Sequence, residues 1–301
     1  MSGTVLVGGG TGFIGNHLIK ALKNKNYAVK IVSRMPGPVN ISWQELNSRG
    51  LPQNTVAVVN LAGQNVMDFK RRWTTGFKQN VFSSRVNTTT SLAEAINKAS
   101  TKPKVYVAMS GVGAYKPDSN KEYDECSPLE NFDFFSKLVL EWEKAATLDL
   151  ESKSNCRVVT IRSGVVLGKN GGMIKQLYLP FYLGLGGPVG NGSQYLPWIH
   201  IKDLVELILY SIENDKVEGV LNGVAPQLCT NKEFSNAFAK ALKRPALIPI
   251  PSFIFNLILG TERAKMITTG QKVIPQRTQE FGFTFSFPDV VSACRNIVKE
   301  A

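Results

Sequence analysis

The stretch "TVLVGGGTGFIG" constrains this chain more than any other. A short apolar run feeds directly into glycines, and "FIGNHLIKALKNKN" continues with the apolar spacing of a helix. Gly9, Gly12 and Gly15 give a G-x-x-G-x-x-G pattern across that junction. Gly9 permits the tight turn, Gly12 lets the backbone approach a pyrophosphate, and Gly15 lets helix and strand pack closely. The helix N-terminus then faces the phosphates. A plain turn is the alternative, but the strand–loop–helix context favours a dinucleotide site that includes Phe13 and Ile14.

The alternation continues. "AVKIVSR", "VAVVNLAG", "KVYVAMSG" and "CRVVTIRSGVVLG" read as further strands, separated by helices such as "NVFSSRVNTTTSLAEAINKA" and "FFSKLVLEWEKAA". Strands alternating with helices predict an α/β fold with a parallel, doubly wound, Rossmann-type sheet and right-handed crossovers. Beyond about residue 170 the pattern turns irregular and glycine-rich, with "VLNGVAP" as one more strand and a mostly helical remainder apart from the tail "GFTFSFP".

The second strand ends in Ser33-Arg34, where an NAD enzyme would place a carboxylate for the ribose hydroxyls. An arginine there can hold a 2′-phosphate through charge-assisted hydrogen bonds, so NADP(H) is favoured over NAD(H). The other reading of Arg34 is a solvated loop residue.

A formal net charge of +12 raises the question of an anionic partner. The lysines are scattered, and the only dense run is Lys70-Arg71-Arg72-Trp73. A phosphorylated cofactor or a small, anionic substrate explains the sign more simply than a nucleic acid. No segment is long and apolar enough to span a bilayer, and the first strand leaves no room for a cleavable presequence. The four cysteines, Cys126, Cys156, Cys229 and Cys294, fit no metal or redox spacing. These features predict a cytoplasmic protein with reduced thiols and no metal; the oligomeric state is left open.

The glycine loop, Ser33-Arg34 and "NLAG" resemble the short-chain dehydrogenase/reductase superfamily in its extended, nucleotide-sugar-epimerase-like branch. "RSGVVLGKNGGM", "PFYLGLGGPVGNGSQYLPWIHIKDL", "LNGVAP" and "GQKVIPQRT" resemble its atypical "epimerase family" subgroup, which carries a small C-terminal domain. The resemblance implies an NADP(H)-binding domain over 1–225, with 171–195 contributing to the substrate side, and a small C-terminal domain over 226–301. It also implies that Leu61 and Ala62 lie against the adenosine portion, and that Asn80 and Arg85 reach the cofactor. Arg162 would sit by the phosphates or the nicotinamide; for Arg85 and Arg162 the alternative is a surface salt bridge.

The superfamily's chemistry uses a Ser/Thr after the fourth strand plus Tyr-x-x-x-Lys. Ser110 is in place. None of the eight tyrosines has a lysine four residues later. If Lys137 keeps its catalytic position, Asp133 replaces the tyrosine; if the helix is shifted by two, Phe135 replaces the tyrosine and Val139 the lysine. Asp133 reads as a helix cap or a desolvated proton donor. Tyr115 matches a tyrosine that borders the substrate in extended members, or it simply packs. His200 reads as a scaffold histidine. The segment Gly184 to Gly192 and Gln276-Arg277 would close over the nicotinamide end, with Arg277 offering charge to the substrate. The expected function is an NADP(H)-dependent oxidoreductase or epimerase-like protein without the usual acid. The alternatives are a non-catalytic NADPH sensor and, on charge alone, a nucleic-acid-associated protein.

Overall fold

The computed structural model describes residues 2–34, 37, 40–68 and 70–299. In chain order it forms β1 (Ser2–Gly8), α1 (Phe13–Asn24), β2 (Tyr27–Ser33), β3 (Asn40–Ser42), α2 (Trp43–Arg49), β4 (Thr55–Asn60), α3 (Thr75–Lys98) and β5 (Val105–Gly111). There follow β6 (Glu122–Tyr123), α4 (Phe134–Ala145), α5 (Leu150–Asn155), β7 (Arg157–Ser163), β8 (Val165–Leu167), α6 (Gly172–Tyr182), β9 (Trp198–His200) and α7 (Ile201–Glu213). The chain ends with β10 (Gly219–Gly223), α8 (Asn231–Ala241), α9 (Ser252–Leu259), α10 (Thr261–Thr268), β11 (Lys272–Val273), α11 (Gln276–Glu280) and α12 (Val290–Lys299).

Seven strands make one parallel sheet in the order β10-β7-β5-β4-β1-β2-β3. This is the doubly wound arrangement expected from the sequence. The central strands are buried on both faces, which is why "VAVVN" and "VYVAM" read as continuous apolar runs rather than alternating ones. One face packs Val5, Val7 and Val107 against Leu18 and Leu22 of α1 and Leu204 and Ile208 of α7. The other packs Leu6, Val58 and Tyr106 against Leu92 and Ile96 of α3. A separate cluster lies off the sheet, where Phe181 of α6, Phe234 and Phe238 of α8, and Cys294 and Ile297 of α12 meet.

"CRVVTIRSGVVLG", read as one strand, is two. The chain leaves the sheet at Gly164, whose added Cβ would sit 2.5 Å from the Pro197 carbonyl oxygen. β8 then pairs with β9 in a small second sheet. The short elements β3 and α2 carry too few residues to show a period, and the sequence reading passed over both. His200 caps α7, its Nδ1 accepting from the Lys202 amide, as a scaffold histidine should.

The segment Gly184 to Gly192 packs elsewhere than expected. The Ile250 amide donates to the Pro188 carbonyl, the Gly190 amide to Ile250, and the Lys232 amide to Gly192. These bonds tie the segment to the stretch before α9 and to the start of α8, and none of its residues lines the central cleft.

Candidate functional site

A cleft of about 730 Å³ opens along the C-terminal edge of the sheet, where open α/β sheets place ligands. Its floor begins at Gly9, Gly12, Phe13, Ile14 and Gly15. Gly9 has φ of 74°, and a Cβ there would lie 2.7 Å from the Ala62 amide nitrogen. A Cβ on Gly15 would lie 2.4 Å from the Gly10 carbonyl oxygen, so both glycines are fixed by close backbone approach. Gly12 differs: a Cβ on it meets only the Gly9 oxygen at 3.3 Å, and the free space beyond it belongs to the cleft. Gly12 also N-caps α1 without a side chain, so the first turn of that helix faces open space.

Leu61 and Ala62 line the next part. They are held by Asn60, a fully buried residue whose Oδ1 accepts from the Ala62 amide (3.0 Å) and whose Nδ2 donates to Thr89 Oγ1 (2.8 Å). Arg85, from α3, also lines the cleft and donates to the carbonyls of Gln64 (3.0 Å) and Val81 (3.1 Å), with its guanidinium over the Trp142 ring. Burial lowers it to about 10, which leaves it a cation at neutral pH. Asn80, on the same helix, is exposed and outside the cleft. Ser33 ends β2 and Arg34 follows it, just after Val32, whose carbonyl accepts from the Gly9 amide. Arg34 is exposed and makes no ion pair with a described residue.

The helix α4 also lines the cleft. Phe135, Val139 and Trp142 line the cleft, whereas Lys137 is exposed outside it. The cleft thus takes the Phe135–Val139 pair of the shifted alignment on its wall, and Lys137 is not on it. Asp133 borders the cleft, but its Oδ1 accepts from the Ser136 amide (2.8 Å) in a capping box. That is the cap reading.

Ser110, at the end of β5, lines the cleft and donates to Glu143 Oε1 at 2.7 Å. The same carboxylate takes Arg162 Nε on Oε1 and Nη2 on Oε2, both at 2.8 Å. Arg162 is 6% exposed and not among the residues lining the cleft, so its ion pair is a buried one rather than a surface salt bridge. Burial alone would lower its pKa, but the hydrogen bonds and charge of Glu143 leave it raised. Tyr115 is fully buried behind it. Its hydroxyl accepts from Arg162 Nη1 (2.8 Å) and points to the Asp124 carbonyl (2.9 Å) and Asn222 Oδ1 (3.0 Å). Tyr115 is a packing residue and does not border the cleft. Burial raises its pKa against the opposing pull of Arg162.

Residues from the far end of the chain roof the cleft: Lys265, Met266, Thr269, Gly270 and Gln271. α10 is pinned by Arg263, which donates to the carbonyls of Arg71 (2.8 Å) and Asp68 (2.9 Å) and lies over the Trp73 and Phe77 rings. Trp73 Nε1 in turn donates to Glu262 (2.6 Å). The basic run at Lys70-Arg71-Arg72-Trp73 thus anchors a helix through two of its members. Gln271 donates to the carbonyls of Val112 (3.3 Å) and Tyr115 (2.8 Å). Tyr195, also on the wall, has Lys272 Nζ 5.1 Å from its ring centroid. Arg277 lies outside the cleft; its amide donates to Glu125 (3.0 Å) and its Nη2 to the Cys126 sulfur (3.3 Å). The expected closure by Gly184–Gly192 and Arg277 is thus replaced by Tyr195–Pro197 and Lys265–Gln271. Glu143, Asn60 and Gln271 were not singled out in the sequence.

A family model described as NAD dependent epimerase/dehydratase matches residues 5–222, and a domain of unknown function, DUF1731, matches residues 250–297. The mouse epimerase family protein SDR39U1 is 50% identical over 295 residues, covering 98% of this chain and 99% of its own. The crystal structure of human epimerase family protein SDR39U1 (isoform 2) with NADPH superposes with a TM-score of 0.96 at 49% identity, over 99% of this chain and all of that one. The UDP-N-acetylglucosamine 4-epimerase of Bacillus cereus shares the fold, with a TM-score of 0.74 at 18% identity over 99% of both chains.

Proposed function

This chain belongs to the NAD dependent epimerase/dehydratase family, and from that premise we propose that it is an NADP(H)-dependent oxidoreductase working without the tyrosine acid. The observation that carries the reading is that the glycine cradle and Ser110 line one and the same cleft. The residues fit a dinucleotide. Gly9 and Gly15 are closed by backbone, Gly12 is open, and the first turn of α1 faces the space a pyrophosphate would fill. Leu61 and Ala62 offer an apolar surface to the adenosine portion, Arg85 a cation, and Arg34 an exposed guanidinium at the end of β2. The human relative's NADPH supports the phosphorylated form. When bound, its nicotinamide supplies or accepts hydride, while Ser110 and the apolar face of α4 shape the space beside it.

Calorimetric titration tests this. NADPH should bind more tightly than NADH, and Arg34→Ala should weaken NADPH by about ten- to a hundredfold while leaving NADH nearly unchanged. Equal affinities in the wild type would overturn the cofactor assignment. A second reading, an NADPH-sensing regulatory protein, is favoured by the absence of any Tyr-x-x-x-Lys in the chain and by Phe135 and Val139 lining the cleft. Oxidation of bound NADPH by a carbonyl compound separates the two, since a sensor would show none.

A further inference from the structure

We propose that the protein docks on an anionic lipid surface through an exposed apolar face built from α9, the end of α6 and the stretch between α8 and α9. The proposal goes beyond the cofactor reading and does not depend on it. Among the described residues twelve large hydrophobic side chains are exposed, and nine of them fall within 179–185 and 247–258. Leu179 and Leu183 stand one turn apart at the end of α6, and Phe253 and Leu257 one turn apart on α9, so each pair shares a helix face. Leu247 and Leu257 are 83% and 84% exposed, with nothing of this chain over them. Local bonds hold the two stretches together. Arg244 Nε donates to the Tyr182 carbonyl (2.7 Å), a Cβ on Gly184 would lie 3.7 Å from Pro245, and the Ile250 amide donates to Pro188. Apolar residues scattered singly over a surface need no explanation, but a cluster of this kind marks an interaction site.

The charge on this face identifies what covers it. Segments 172–192 and 240–261 carry four cations, Lys175, Lys240, Lys243 and Arg244, and no carboxylate. All four are exposed. Lys175 lies one turn before Leu179, the guanidinium of Arg244 sits over the Tyr182 ring, and Lys240 and Lys243 lead from the end of α8 towards Leu247. Of the nine apolar side chains only Tyr182 has a hydrogen-bonding group, so the face asks for no directional partner. Lipid hydrocarbon accepts such side chains without stranding polar groups of its own, whereas a protein surface would have to desolvate some. The cations meanwhile reach the negative head groups on long flexible stems. An apolar helix face with basic residues at its border is the arrangement that lies in a membrane interface without spanning it. A second copy of this chain would bring the same cations and none of the carboxylates that would balance them.

Co-sedimentation of the full chain with vesicles tests this, using phosphatidylcholine alone and phosphatidylcholine with about a third phosphatidylserine. The wild type should bind the anionic vesicles at least about tenfold more tightly, and added salt should erode that preference. Leu247→Gln/Leu257→Gln should lose at least about tenfold on the anionic vesicles. Lys240→Gln/Lys243→Gln should lose about tenfold or more there and leave binding to phosphatidylcholine unchanged. These positions are all exposed, and a circular dichroism melt confirms that each variant is folded. Should a variant prove unfolded, the comparison of lipid compositions and salts in the wild type decides by itself. No binding to anionic vesicles overturns the proposal, as does equal binding to both compositions. Undiminished binding in either folded double variant overturns it too. Sedimentation velocity without vesicles covers the remaining occupant: a dimer abolished by Leu247→Gln/Leu257→Gln assigns the face to a second copy and overturns the lipid assignment. NADPH titration is read separately and bears only on the function proposed above.

Discussion

Glu143 accepts from Ser110 and twice from Arg162, and its side chain is 17% exposed against 7% for Arg162. Removing the carboxylate would strand a guanidinium inside the protein. Glu143→Ala should therefore cost about 3–5 kcal/mol in urea unfolding, the range for one partner lost from a buried pair. A cost below about 1 kcal/mol would mean that water reaches Arg162 and that the pair is effectively a surface one. Nothing in "LEWEKAA" distinguishes Glu143 from the solvated glutamates of an ordinary helix, because its partners come from β5 and β7. Ser110 could be found in the sequence, since a strand's end marks it. The glycines could also be found, since each has a local steric reason. Arg162 was read correctly as ending a strand but given the wrong direction; only the neighbouring α4 decides where its guanidinium goes.

Among the elements, α10 depends on a polar hinge with Trp73. Glu262 accepts from the Trp73 indole and pairs with Lys78, and these contacts, the Lys78 hydrogen bond foremost, depress its pKa below the ordinary 4.5. A carboxylate with a depressed folded pKa contributes stability that is fully present above the unfolded value and is lost as pH falls through the folded one. The stability gap between wild type and Glu262→Gln should accordingly be constant near neutrality and shrink as pH drops below about 4.5. Chemical unfolding followed by tryptophan fluorescence at several pH values would show it; a gap that widens in acid would contradict the assignment. Elements with a clear period, such as α3 and α4, were legible in the sequence. The roof was not, because Lys265 to Thr269 carry no motif and are held by long-range contacts through Arg263, Trp73 and Gln271. The glycine-rich Gly184–Gly192 looked like a lid for its composition, yet its backbone bonds go to residues 231–250.

At the scale of the whole molecule, no described helix is long and apolar enough to cross a membrane. The four thiols divide cleanly. Cys156, Cys229 and Cys294 are buried, and burial raises each to about 12, whereas Cys126 is exposed. A thiol reagent that needs the thiolate should modify one cysteine rapidly in the native protein and all four only after unfolding. Fast reaction of Cys229 or Cys294 would show that the cluster around α8 and α12 opens, and of Cys156 that the core beneath α3 does. The same distribution explains why cysteine spacing carried no site: three of the four are small apolar fillers of the core.

The roof joins parts of the chain that lie far apart in sequence. The Gln271 side chain reaches back to Val112 and Tyr115, and β11 pairs with β6. Trp73 meets Glu262 and the guanidinium of Arg263 across a similar span. Enclosure of the cleft therefore rests on contacts of high sequence separation, the kind whose loop-closure entropy makes them slow to form, whereas the glycine cradle is built from neighbours in the chain.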